Sequence, residues 1–351
     1  MASSKTNIID LDIEQLISWL EGYNVKPYHA SQILKWLYKW QADSFDVMTD
    51  IKKEIRELLS LNFTIKRLEI IRTEISQDGT KKYLFKLKDG QFIESVLIPG
   101  KNRYTLCISS QVGCAQGCKF CLTAKQGFTR NLTKGEIVAQ VRDILNDQIE
   151  PEHLTNIVFM GMGEPLANYR NVISAINTIT DNQWGLAFAS RKVTVSTAGI
   201  VSKLLSLGCD TKANLAVSLN ATDNKTRSML MPINRRYPIE KLLDACREYQ
   251  LQPRRRITFE YILIKGINDF PEDANRLAEL LEPIKAKINL IPFNEHEGCS
   301  FKRPTESAIN DFREILLSNN YTVIIRHSKG QDISAACGQL RARQDSFLKK
   351  T

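Results

Sequence analysis

The sequence contains no apolar run near the roughly 20 residues that cross a bilayer, and its longest apolar stretches are strand-sized. That excludes a helical membrane anchor. The opening residues, Met-Ala-Ser-Ser-Lys-Thr followed by Asp10, Asp12 and Glu14, have no apolar core of a secretory signal, so a cytoplasmic location is expected. No low-complexity tract or flexible linker interrupts the chain. In a reducing compartment the 8 cysteines are poor candidates for structural disulfides, which leaves metal ligation, catalysis or packing.

The 351 residues suffice for one large domain with a smaller appendage, and 43% apolar with 25% charged residues is an ordinary globular composition. Lys and Arg number 48 against 39 Asp and Glu. A basic balance favours a polyanionic partner such as nucleic acid, although composition alone does not separate nucleic-acid binders from other basic proteins.

Helical periodicity dominates the start: Ile13, Leu16, Ile17 and Leu20 share one stripe, and Ile33, Trp36, Leu37 and Trp40 another. Residues 1–63 therefore read as a helical accessory domain, expected to bind RNA. Alternating Tyr83, Phe85 and Leu87, with turns at Asp78-Gly79 and Asp89-Gly90, predict an antiparallel β extension over 64–104. From 105 to 326 short apolar strands alternate with helices, predicting an α/β fold with six β-α units, fewer than the eight of a closed barrel. Thr133 and Glu136 form a capping box at the head of one such helix. A polar tail, 327–351, carries Cys337.

After the first of these strands comes Gly113-Cys114-Ala115-Gln116-Gly117-Cys118-Lys119-Phe120-Cys121, a C-x3-C-x2-C spacing. Three thiolates in one loop suit a four-iron, four-sulfur (4Fe–4S) cluster with one iron left open to chelate a substrate, since a saturated cluster takes four cysteines. Structural zinc wants four Cys or His ligands; the nearest histidine is His153 and no other C-x2-C pair occurs.

The triad is the signature of the radical S-adenosylmethionine (radical SAM) superfamily, and the chain as a whole resembles the RlmN/Cfr family of RNA adenine methyltransferases. The resemblance runs through residues 107–132, Gly161-Met162-Gly163-Glu164-Pro165-Leu166, Ser196-Thr197-Ala198-Gly199, Met231-Pro232-Ile233-Asn234 and Ala335-Ala336-Cys337-Gly338-Gln339-Leu340. Segment 126–132 is more similar to the RlmN side than to the Cfr side. The resemblance implies a partial radical SAM barrel, a 4Fe–4S cluster on Cys114, Cys118 and Cys121, and S-adenosyl-L-methionine bound by Gly163, Glu164, Ser196, Ser218, Leu219, Asn220 and Asn294. These last positions fall at strand ends, on the rim where β-α sheets place ligands. The family usually has histidine where this chain has Asn220, which keeps a hydrogen-bonding amide but does not titrate.

Adenine C2, between two ring nitrogens, is too electron-poor to attack the sulfonium methyl, so displacement fails. The resemblance implies a radical route instead: Cys337 accepts a methyl group, whose carbon adds to C2 after losing a hydrogen atom. Glu94 is implied as the base at C2, and Cys107 as the thiol that attacks the Cys337 sulfur and frees the product through a transient disulfide. Implied substrates are 23S ribosomal RNA and tRNA (the adenosine 3′ of the anticodon), with a reductant such as flavodoxin and a monomeric enzyme. Arg254-Arg255-Arg256, Arg235-Arg236 and the basic stretch 35–39 are candidate phosphate contacts. Alternatives are the same chemistry at C8, as in Cfr, and a non-catalytic zinc-dependent RNA-binding protein. A methylthiotransferase would need a second cysteine cluster.

Overall fold

The computed structural model describes residues 5–296 and 299–342; the expected limits at 1 and 351 lie outside the described residues. Helices α1 (Ile13–Glu21), α2 (Tyr28–Tyr38) and α3 (Lys53–Asn62) open the chain. Helix α1 starts at a capping box: the Gln15 N–H donates to the Asp12 carboxylate at 2.8 Å, and the Gln15 side chain accepts from the Asp12 N–H at 3.0 Å. Its stripe, Leu16 and Leu20, is buried in one core with Ile33, Leu34 and Leu37 of α2.

Three strands follow, β1 (Glu69–Ile75), β2 (Lys81–Lys86) and β3 (Phe92–Pro99), joined by turns in which Gly79 and Gly90 both adopt φ +82°. Strand β3 pairs antiparallel with β4 (Tyr104–Cys107), placing Val96 opposite Cys107. Beyond β4 the cysteine loop carries its own two-stranded hairpin, Gln111–Gly113 with Phe128–Asn131, and a single turn of helix, α4 (Leu122–Lys125). Helix α5 (Lys134–Asp147) begins at the expected Thr133–Glu136 capping box. Then come β5 (Leu154–Phe159), α6 (Tyr169–Thr180), β6 (Val193–Thr197), α7 (Val201–Asp210) and β7 (Asn214–Ser218). After α8 (Asn224–Leu230) and α9 (Ile239–Glu248), the chain ends with β8 (Ile257–Leu263), α10 (Pro271–Leu281), β9 (Ala286–Pro292), α11 (Glu306–Ser318) and β10 (Val323–Ile325).

All ten of these strands form one sheet in chain order, antiparallel from β1 to β4 and parallel from β4 to β10. Two features complete the expected sheet. The β extension continues the main sheet, because β3 takes the edge of β4 that no parallel neighbour occupies. Strand β10 follows the six β-α units as a seventh parallel strand, pairing Ile325 with Leu290.

Two buried cations from α5 tie down the N-terminal helices. The Lys134 ammonium donates to the carbonyls of Ile9 at 2.9 Å and Leu11 at 3.0 Å and to the Tyr38 hydroxyl at 2.7 Å. Arg142 donates to the carbonyls of Leu37 at 3.1 Å and Ala42 at 2.9 Å and pairs with Asp43 at 2.9 Å. Each buried side chain thus has hydrogen-bond acceptors in place of water, as burial of a charge requires. No helix among the described residues is long and apolar enough to cross a membrane.

Candidate active site

Six successive strands each deliver a residue to one cavity: Phe159 from β5, Ser196 from β6, Ser218 from β7, Glu260 from β8, Ile291 from β9 and Arg326 just past β10. A sheet with six strands facing one space must curve around it. Cys114, Cys118, Cys121, Gly163, Glu164 and Cys337 line the same space.

The cysteine loop is held in place from several sides. Gly113 adopts φ +74°, and a Cβ there would stand 1.9 Å from the Gly127 carbonyl, so only glycine lets the hairpin strands close. The Lys119 N–H donates to the Leu230 carbonyl at 2.9 Å, and Gly117 faces the Pro232 ring, so the Met231-Pro232 motif backs the loop. Burial pushes the Cys114 thiol up to about 12 and raises Cys118 and Cys121; neighbouring thiols of the triad add to the rise at Cys114 and Cys118. Thiolates that burial and one another penalise gain most from a cationic partner. Among the described residues no three His, Cys, Asp or Glu side chains close on one ion's position. The three thiols therefore fit the separate irons of a cluster better than a single zinc ion.

Gly163 adopts φ +103°, with Gln111 packed where a Cβ would be, and it presents Glu164 at the cavity wall. The Glu164 carboxylate accepts from the Ala198 N–H at 2.7 Å and the Leu166 N–H at 3.0 Å, joining the turns after β5 and β6. Burial raises its carboxyl above the ordinary value, with the Ala198 N–H pulling it back.

Leu219, Asn220 and Asn294 are not brought to this wall. Leu219 is fully buried in the core. At Asn220 the chain turns with φ +60°, a conformation asparagine tolerates, and its side chain accepts from the Ile262 N–H at 2.8 Å and contacts the Met231 sulfur at 3.2 Å. Asn294 instead donates to the Cys337 carbonyl at 3.3 Å and accepts from Gln331 at 3.1 Å, holding the tail.

The tail brings Cys337 to the cavity. Its Gly338 carbonyl accepts from the Leu122 N–H at 2.7 Å, and the Leu340 carbonyl accepts from the Thr123 hydroxyl at 2.8 Å. Cys107, at the end of β4, is a buried free thiol; burial pushes it up to about 12, and the nearby Cys337 adds to the rise. Glu94 is buried on β3 and does not line the cavity: it accepts from the Arg341 N–H at 2.8 Å and lies 3.7 Å from the Lys82 ammonium. The run Arg254-Arg255-Arg256 precedes β8, at the opposite end of the sheet from the cavity, where Arg256 donates to the Thr322 hydroxyl at 2.8 Å.

A family model described as the ribosomal RNA large subunit methyltransferase N-terminal domain matches residues 6–65, and the radical SAM superfamily model matches 108–281. The dual-specificity RNA methyltransferase RlmN of Desulfosudis oleivorans is 60% identical over 95% of this chain and 90% of its own length. The RlmN of Geobacter sulfurreducens is 53% identical over 97% of this chain and 93% of its own. The chain belongs to the RlmN family. A radical SAM methyltransferase from Sphaerobacter thermophilus has the same fold, with TM-score 0.89 and 43% identity over 96% of this chain and 100% of that one. The chain is thus a radical SAM RNA methyltransferase with a partial radical SAM barrel, and the family's cofactors are a 4Fe–4S cluster and S-adenosyl-L-methionine.

Three charged residues at the site of this RlmN family member escaped the sequence reading. Arg227 is fully buried and donates to the carbonyls of Leu219 at 3.0 Å and Ala198 at 2.9 Å and to the Asn234 side chain at 2.9 Å. It locks the turns after β6 and β7 together beside Cys118. Arg326 donates toward the Met160 sulfur at 3.5 Å, and Glu260 accepts from the Asn289 amide at 3.0 Å. Burial raises the Glu260 carboxyl, with Arg326 the main influence pulling it back.

Proposed function

We propose that this enzyme methylates C2 of adenosine in 23S ribosomal RNA and in tRNA, with Cys337 carrying the methyl carbon and Cys107 releasing the product. The observation that carries the reading is the nearness of Cys337 and Cys107 beside a cavity that also receives the three-cysteine loop. A methyl-transfer enzyme acting by displacement alone has no use for a second thiol next to the first.

When bound, the cluster and S-adenosyl-L-methionine supply the one-electron cleavage that removes a hydrogen atom from a methyl group. The chain's own residues do the rest. Glu164 and Ser196, on the wall beside the triad, hold and orient the cofactor, and Cys114, Cys118 and Cys121 hold the iron. Leu219, Asn220 and Asn294 contribute from behind, by shaping the turns and the tail. Cys337 attacks a sulfonium methyl as thiolate and becomes a thioether. Its carbon would bond C2 once that hydrogen atom is gone, one electron would pass from the adduct back to the loaded centre, and Glu94, carried near the tail by the Arg341 contact, would accept the C2 proton. The Cys107 thiolate then attacks the Cys337 sulfur, the carbon–sulfur bond breaks with its electron pair passing to the RNA carbon, that carbon takes up a proton to become the methyl group, and the two cysteines remain as a disulfide. The target base must leave its stack to reach this interior. Arg235 and Arg236, exposed and following the Met231-Pro232 motif in the sequence, would meet flanking phosphates.

Nucleoside mass spectrometry of ribosomal RNA and tRNA from cells with and without the gene tests this. Loss of 2-methyladenosine from both pools is expected. Loss of 8-methyladenosine instead would overturn the C2 assignment.

A further inference from the structure

The cavity has two chemically distinct ends. At one, Glu164 acts electrostatically on Cys114 and Cys118. At the other, Glu260 acts on Arg326, which in turn faces Cys337 and Cys107. Arg326 is the one cationic side chain among the described residues that line the cavity.

Glu260 is 4% exposed, and its two carboxylate oxygens differ. Oε1 accepts from the Asn289 amide at 3.0 Å, while Oε2 is buried and has no hydrogen-bond partner. A buried carboxylate oxygen without a donor is costly, and at a cavity wall it is an acceptor that an incoming N–H would satisfy. Around it Phe159, Met160, Ile262 and Ile291 supply apolar surface suited to a flat ring.

We propose that Glu260 and Arg326 are the recognition pair for the target adenine, Glu260 Oε2 accepting from its exocyclic amine and Arg326 donating to the neighbouring ring nitrogen. The inference rests on the adenosine substrate proposed above. Adenine sets a donor next to an acceptor along one edge, which a carboxylate and a guanidinium lining the same cavity complement. Guanine turns a carbonyl toward the carboxylate at that place and is rejected. The pair lies at the end where Cys337 lies, so a base held there meets the methyl carbon. The adenine of S-adenosyl-L-methionine has the same edge, and the experiment separates the two sources.

Dissociation constants are measured on the cluster-loaded enzyme without reductant, so that no product forms. The probes are a stem–loop RNA with one target adenosine, the same RNA carrying purine riboside, which lacks the amine, and S-adenosyl-L-methionine alone. The unaltered chain should favour the adenosine RNA about 10- to 100-fold, the cost of leaving a buried acceptor unpaired. Glu260→Met should bring that ratio near one, and Glu260→Gln, with one oxygen to divide between Asn289 and the base, should fall between them. Both variants should bind S-adenosyl-L-methionine as the unaltered chain does. An unchanged RNA ratio in both variants overturns the proposal, as does weakened cofactor binding with the RNA preference intact. Because the ratio is read without turnover, a preference for adenosine RNA in a chain that never methylates it supports the pair while refuting the proposed reaction.

Discussion

The Glu94 carboxylate accepts a hydrogen bond from the Arg341 N–H at 2.8 Å, so a residue of the β extension grips the tail just beyond Cys337. The contact gives Glu94 a hold on the tail beside the proton-accepting role proposed for it. Glu94→Gln separates them, because its carbonyl oxygen still accepts from Arg341 but takes no proton at neutral pH. We expect Glu94→Gln to keep methyl-Cys337, seen by peptide mass spectrometry, and to form product about 100- to 10,000-fold more slowly, the usual range for a lost general base. Product at the normal rate would leave Glu94 as an anchor only.

Arg227→Met removes the donor shared by the Leu219 and Ala198 carbonyls and the Asn234 side chain. At about 1–3 kcal/mol for each buried group left unsatisfied, a loss of about 3 kcal/mol or more is expected in urea unfolding. Arg227→Lys should recover little, since one ammonium does not reproduce the planar fork.

Lys134 sets a pH dependence. Burial holds its ammonium down to about 7 from an ordinary 10.5, with Asp10 and Asp12 pulling it back. Between those values the unfolded chain binds the proton that the folded chain has lost, so this residue makes stability rise with pH across that window. The slope is at most about 1.4 kcal/mol per pH unit. Unfolding curves at pH 7, 8 and 9 should show the rise, and Lys134→Met should abolish it.

Cys114, Cys118 and Cys121 stand out in the sequence because they share one loop at the fixed spacing a cluster would need. The strands and the α5 cap are legible because periodicity and capping are local. The pairing of β3 with β4 is not, since alternation marks a strand without naming its partner. Leu219 and Asn220 show the limit of reading a rim from strand ends: the backbone turns at Asn220 and sends its side chain to Ile262 and Met231. Glu260 and Arg326 look like any charged residue of an alternating strand until the curved sheet sets them in one cavity. The nearness of Cys107 and Cys337 depends on the tail returning to the far end of β4, and only the family resemblance pointed to it.

The most direct test of the central claim is mass spectrometry of the Cys107→Ala protein after anaerobic incubation with reductant, S-adenosyl-L-methionine and RNA. The account predicts RNA covalently attached to the protein, with the adduct mapped to Cys337 and little free product. Free methylated RNA at the rate of the unaltered enzyme, with no adduct on Cys337, would contradict it.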